Sequence, residues 1–105
     1  MALSVKCELV AGEGEHWGMT LAGEVDVASA SKLRNALAEA YLNKSVDIHI
    51  NAEELSYIDS TGLGVIIGAF GRMKENGHRI VIEKPRSNVK KLLNITSLDK
   101  ILCSV

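Results

Sequence analysis

Long apolar runs are missing from this chain of 105 residues, as are clustered cysteines, blocks of like charge and all but one proline. No run approaches the roughly 20 apolar residues that span a bilayer, and the first 17 positions carry no sustained apolar stretch ahead of their charges. Neither secretion nor membrane insertion is therefore expected. Lys and Arg number 12 against 13 Asp and Glu, for a net charge of −1. So balanced a surface sets up little long-range field to draw in nucleic acid or an anionic membrane. The two cysteines, Cys7 and Cys103, stand near opposite ends of the chain and make neither a disulfide framework nor a zinc ligand set. A reduced, cytoplasmic protein is the expectation. What the chain does have is 47% apolar residues, enough for one domain over residues 1–105 with a core of its own.

Hydrophobic periodicity divides that domain into elements. Val5, Cys7 and Leu9 alternate with Lys6 and Glu8, and Trp17, Met19 and Leu21 alternate again after a glycine turn at 12–14, which predicts two strands in a hairpin. From Ala28 the period lengthens: Leu33, Leu37, Ala40 and Tyr41 share one face, with Lys32, Arg34 and Glu39 on the other, as in an amphipathic helix. Val46, Ile48 and Ile50 mark a third strand, followed by a polar connection over 52–60. Leu63, Ile66, Ile67, Phe70 and Met73 then predict a second core-facing helix, stopped at Glu75, Asn76 and Gly77. Ile80 and Ile82 mark a fourth strand that Pro85 breaks, and Ser87 is placed to cap a short helix carrying Val89, Leu92 and Leu93. The tail reads as a turn about Leu98 and a terminal strand over 102–105. The sum is an α/β domain with a mixed sheet of four or five strands. Alternation within the strands implies helices mainly on one face, because strands covered on both faces read as continuous apolar runs.

Few residues are arranged for catalysis. His16, His49 and His78 fall in separate elements with no carboxylate or thiol at ligand spacing, so no metal site is predicted. Glu53 and Glu54 stand side by side in the polar connection, where a solvated turn accounts for them. Gly62, Gly64 and Gly68 resemble a dinucleotide fingerprint with Glu83 downstream, but Ile67 holds the place of the third glycine. Some eleven residues also separate the end of the third strand at Ile50 from Gly62, where the fingerprint needs a tight turn. Gly64, Gly68 and Gly71 otherwise form a small-residue stripe at helical spacing. It admits close approach either by another element of the fold or by a partner protein.

The stretch from Tyr57 to Gly62 carries the most information. Asp59, Ser60 and Thr61 are each able to cap the helix that follows, which by itself would explain them. The alternative is a serine hydroxyl displayed where free backbone N–H groups and the helix dipole favour a phosphate. Glu24 and Asp26, in the link between the second strand and the first helix, could lie on the same rim as Ser60, or serve only as turn residues.

Three words of the sequence, LAGEVD at 21–26, IDSTGLG at 58–64 and VKKLLNIT at 89–96, resemble the STAS family of bacterial anti-sigma factor antagonists and come in the family's order. The resemblance implies a protein without catalysis of its own and without cofactor. Such a protein binds an anti-sigma factor, often itself a serine kinase, and so frees the sigma factor. In that family the serine of the DSTG word is phosphorylated by the kinase and restored by a PP2C-type phosphatase, which maps here to Ser60. By the same resemblance Asp26 and Asp59 match family positions beside the phosphosite, and the partner-binding residues expected are Glu24, Asp26, Asp59, Ser60, Thr61, Gly62 and Gly64. Two other readings stand beside it: a small nucleotide-binding protein, and a STAS scaffold in which Ser60 caps the helix and is never modified.

Overall fold

The computed structural model describes residues 2–12 and 14–103. The chain runs through β1 (Ser4–Val10), β2 (His16–Val25), α1 (Ala30–Asn43), β3 (Asp47–Ile58), α2 (Ser60–Lys74), β4 (Ile80–Glu83), α3 (Ser87–Ile95) and α4 (Asp99–Leu102). The four strands form one sheet in the order β1-β2-β3-β4. β1 and β2 are an antiparallel hairpin with Cys7 opposite Met19, while β2 with β3 and β3 with β4 are parallel. This is the mixed α/β architecture expected from the order of elements, an opening hairpin followed by strand–helix–strand crossovers.

β2 and the first half of β3 turn alternate side chains toward the helices. Met19, Leu21 and Val25 of β2 and Ile48 and Ile50 of β3 are at most 1% exposed and meet Leu33 and Leu37 of α1, Ile66 and Met73 of α2, Val89 and Leu93 of α3, and Leu102 of α4 in one core. Removing each large aliphatic side chain from water contributes about 1.5–3 kcal/mol. In α2 the buried set also includes Val65 and Ala69, whereas Ile67 and Phe70 are only partly buried at its margin. The reason is that α2 packs against α1 as well as against the sheet, so its buried arc is wider than one stripe and rotated from the predicted phase. The helix ends where Gly77, at φ +79°, takes the left-handed conformation that a side chain disfavours.

Several elements depart from the sequence reading. The polar connection predicted over 52–60 is mostly strand: β3 continues to Ile58. Two register shifts against β2, at Thr20/Ala22 and Gly23/Glu24, put an extra β3 residue into the pairing each time. The buried residues of this half, Ala52, Leu55 and Ile58, are therefore spaced by three and escape a period-two search. Asn51 supports the first bulge by accepting a hydrogen bond from the Glu53 backbone N–H at 2.9 Å. Glu53 and Glu54 accordingly lie in a strand, not in a turn. α1 begins at Ala30 rather than Ala28, because the preceding residues close a turn described below. Ser87 is the first residue of α3, and the residue before it, Arg86, makes no side-chain cap. In place of the expected terminal strand, α4 is followed by a single bridge from Cys103 to Ile82; residues 104 and 105 of that prediction lie outside the described residues.

At the other end of the sheet, the indole N–H of Trp17 donates to the Lys44 carbonyl at 3.0 Å, fastening the start of β2 to the α1–β3 connection. Tyr41 and His78 are joined at 2.6 Å across the ends of α1 and α2.

Candidate functional site

The β2–α1 and β3–α2 turns meet at the carboxyl ends of the two central parallel strands. Val25 pairs with Ile58, and immediately beyond this pair the Asp59 N–H donates to the Val25 carbonyl at 3.1 Å. That bond holds the two turns side by side. It therefore brings onto one rim the two polar words that lie more than thirty residues apart in sequence.

The first turn is closed on itself. The Asp26 carboxylate accepts from the Ser29 N–H at 3.1 Å, and the Ser29 hydroxyl oxygen accepts from the Asp26 N–H at 3.0 Å. The same hydroxyl lies 3.0 Å from the Glu24 carbonyl and 3.1 Å from the Asp26 carboxylate. Asp26 also supplies its carbonyl to the Ala30 N–H at 2.9 Å, at the entry to α1. Asp26 is thus a half-buried turn residue with its carboxylate held in place. Val27 rides outside this turn, 75% exposed.

In the second turn Asp59 is the N-cap of α2. Its backbone is extended and its carboxylate accepts from the Gly62 N–H at 3.0 Å, while its carbonyl accepts from the Leu63 N–H. This arrangement satisfies one of the free donors of the first turn. The cap is therefore Asp59 and not Ser60. Ser60, the first helical residue, is exposed, and its hydroxyl has no hydrogen-bond partner among the described residues. Thr61 beside it is exposed as well.

The glycines of α2 divide by environment. Gly62 is buried: a Cβ there would come within 2.6 Å of Val25 Cγ1 and 2.7 Å of Ile58 Cγ1. Its missing side chain serves the contact of the helix with the two strand ends. Gly64 and Gly71 would meet nothing within 4 Å, and Gly68 only the end of the Arg72 side chain at 3.7 Å. The stripe is consequently not a contact within the domain.

A shallow groove of about 410 Å³ runs from Ser60 between the end of β3 and α3, lined by Tyr57, Ile58, Asp59, Asn88, Val89 and Leu92. Asn88 fixes its far wall by donating to the Ser56 carbonyl at 2.7 Å. Tyr57 is 45% exposed at the near wall. Val27, Asn88 and Leu92 are rim residues that sequence reasoning did not place there, whereas Tyr57 opens the stretch it singled out. Of the three, Leu92 stands in the sequence as one of the apolar residues of the short helix, and Val27 and Asn88 carry no pattern that marks them.

The histidines are not all apart. His16 and His49 stack on the face of the sheet away from the core, with ring centroids 3.9 Å apart, and His49 Nδ1 lies 3.0 Å from a Glu83 carboxylate oxygen. Parallel pairing of β2, β3 and β4 places these residues together, which sequence spacing could not show. No group of three or more candidate ligands among the described residues is arranged to hold a metal ion. Glu83 is thus engaged with His49. With β3 running to Ile58, the turn into α2 is tight, so that one of the two objections to a dinucleotide fingerprint disappears. Ile67 in place of the third glycine remains, and Gly62 faces the strand ends and not an open phosphate site.

The two central parallel strands thus present, side by side, a turn closed by Asp26 and Ser29 and a turn capped by Asp59, with Ser60 exposed beside them. The family described as Mlab, STAS domain matches residues 9–103, and the chain belongs to the STAS domain family. It is 37% identical over 84 residues to an anti-sigma-B factor antagonist of Bacillus subtilis, covering 80% of this chain and 76% of that one. It is 30% identical over 100 residues to the anti-sigma-B factor antagonist of Listeria monocytogenes, covering 95% and 88%. Among solved structures, the unphosphorylated form of the anti-sigma factor antagonist SpoIIAA shares the fold at a TM-score of 0.74 and 24% identity, over 95% of this chain and 88% of that one.

Proposed function

We propose that this protein is an anti-sigma factor antagonist that docks onto an anti-sigma factor through the Asp26–Ser60 rim, and that phosphorylation of Ser60 switches the docking off. The observation that carries the reading is the division of labour at the start of α2: Asp59 caps the helix, which leaves the Ser60 hydroxyl exposed and unengaged. The names of the bacterial relatives support the antagonist function, and SpoIIAA, which has the same fold, has also been solved in a phosphorylated form.

The physics of the switch follows from the site. A phosphoserine adds about −1.5 to −2 charge. At the first position of a helix the dipole and the free N–H groups accommodate that charge, so the fold tolerates it. A partner seated on the rim meets it together with the carboxylates of Asp26 and Asp59, and closure over such a cluster costs desolvation and repulsion. The partner that fits is an anti-sigma factor that is also a serine kinase, with a PP2C-type phosphatase to restore the hydroxyl. The protein itself acts by binding, in the cytoplasm, with neither nucleic acid nor membrane as a partner.

Incubation with the cognate kinase and Mg-ATP, followed by peptide mass spectrometry, tests the site. Phosphate is expected on Ser60 and absent from Ser60→Ala. Its appearance on Thr61, or nowhere, overturns the assignment. In a pull-down with the anti-sigma factor, Ser60→Ala should bind and Ser60→Asp should bind more weakly. Equal binding by the two variants would remove the switch.

A further inference from the structure

β1 lies at the edge of the sheet, with β2 on one side and no strand on the other among the described residues. Half of its backbone N–H and C=O groups face outward, a template on which another strand can form. Natural edges are commonly protected by proline, a bulge, a covering element or charged side chains, and this edge carries only the charges of Lys6 and Glu8, one of each sign. The stretch SVKCELV has no proline and pairs with β2 without a register shift, and six of its seven residues are exposed.

The side chains of this edge are arranged symmetrically. Val5, Cys7 and Leu9, opposite Leu21, Met19 and Trp17, lie on the helix side of the sheet. Lys6 and Glu8, opposite Thr20 and Gly18, lie on the other side. They flank Cys7 with opposite charges, and neither has an ion-pair partner among the described residues.

We propose that β1 pairs with β1 of a second copy of this chain, antiparallel, about a two-fold axis passing through Cys7. In that register Lys6 of each copy faces Glu8 of the other, so that both charge pairs are complementary. Moving the axis to residue 6 sets Lys6 against Lys6, and moving it to residue 8 sets Glu8 against Glu8. A parallel in-register pairing repeats both like-charge clashes. The charges thus select one register among those available to the edge. An axis perpendicular to the sheet keeps the helix side of one copy continuous with that of the other, placing Val5 opposite Leu9 of the second copy. Leu9, 40% exposed in the single chain, is thereby covered. An open groove of about 560 Å³ between β1 and α1, lined by Val5, Cys7, Trp17 and Ala36 among others, runs along the same edge. Two such grooves adjoin in the dimer. The contact is isologous, as most homodimer contacts are.

Sedimentation equilibrium over a range of concentrations tests the proposal. The unmodified chain should pass from monomer to dimer as concentration rises. Lys6→Glu and Glu8→Lys should each weaken self-association by roughly five- to thirtyfold, since each turns both charge pairs into like-charge contacts. The double variant carrying both changes should dimerise as the unmodified chain does, and an equimolar mixture of the two single variants should form the heterodimer. A short bismaleimide should join two copies of the Cys103→Ser variant through Cys7, and should join no copies of Cys7→Ser. A chain that stays monomeric at every concentration, single variants that associate normally, a double variant that fails to recover, or cross-linking that requires Cys103 would each overturn the pairing.

Discussion

Gly62 of α2 rests on Val25 of β2 so closely that a methyl group on the glycine would stand 2.6 Å from the valine Cγ1. A valine γ-carbon at a strand end has little room to retreat, and Ile58 blocks the other side. Gly62→Ala should therefore destabilise the domain by about 1–3 kcal/mol through overpacking. Gly64→Ala and Gly68→Ala point into open space and should leave stability unchanged or raise it, by up to about 1 kcal/mol per site, because alanine is the better helix former. Thermal melting separates the two cases by sign. A sharp drop for Gly68→Ala would contradict the exposure of the stripe.

Ile66 is 1% exposed and faces the sheet, whereas Arg72 lies on the outer surface of the same helix. Removing the buried side chain leaves a cavity, so Ile66→Ala should cost about 2–5 kcal/mol. Arg72→Ala should stay within about 0.5 kcal/mol. Urea titrations that gave the two variants equal losses would show the helix to be rotated from the position described.

The separation of cap from phosphosite makes Asp59 and Ser60 distinguishable by stability alone. Asp59→Ala removes the carboxylate that accepts from Gly62 and should cost about 0.5–2 kcal/mol, most of which Asp59→Asn should retain, since asparagine caps as well as aspartate. Ser60→Asp adds a negative charge at the positive end of the helix dipole and should not lower the melting temperature. Loss of folding in Ser60→Asp would mean that weakened partner binding by that variant reports on the fold and not on the switch.

The cysteine thiols offer a pH-dependent reading. Burial, and after it the charge of Glu8, pushes the Cys7 thiol above its ordinary range. Burial and then Asp99 do the same to Cys103, against a smaller opposing effect of Lys90. Only the thiolate is alkylated. At neutral pH both should therefore react more slowly with iodoacetamide than an unstructured cysteine, and accelerate as pH rises. Glu8→Gln removes one of the two causes at Cys7 and should speed its alkylation without changing Cys103. Time courses by intact mass, in single-cysteine variants, would contradict the description if Cys7 reacted faster than a model peptide.

Much of this architecture is legible in the chain because period-two and helical spacing act over neighbouring residues. Met19 and Leu21, or Leu33 and Leu37, announce the face they bury. The second half of β3 is hidden because its two bulges break that periodicity, and the polar residues Glu53 and Glu54 sit where a connection would also have them. The rim was legible as two separate words; that Asp59 and not Ser60 supplies the cap depended on backbone geometry which three adjacent capping residues leave open. The stacking of His16 on His49 depends on the register between strands 33 positions apart, information that no local pattern carries.

Trp17 is the sole tryptophan of the chain, and its indole is tied to Lys44 at the amino end of β2. Val25, beside the Ser60 rim, is eight residues further along that strand, roughly 26 Å at the rise of an extended chain. Intrinsic fluorescence is consequently a faithful reporter of global unfolding and of the α1–β3 connection, yet optically deaf to events at Ser60. A docking assay that relies on tryptophan emission would have to place a second indole at the rim, and Tyr57, half exposed on the groove wall, is the natural place for it.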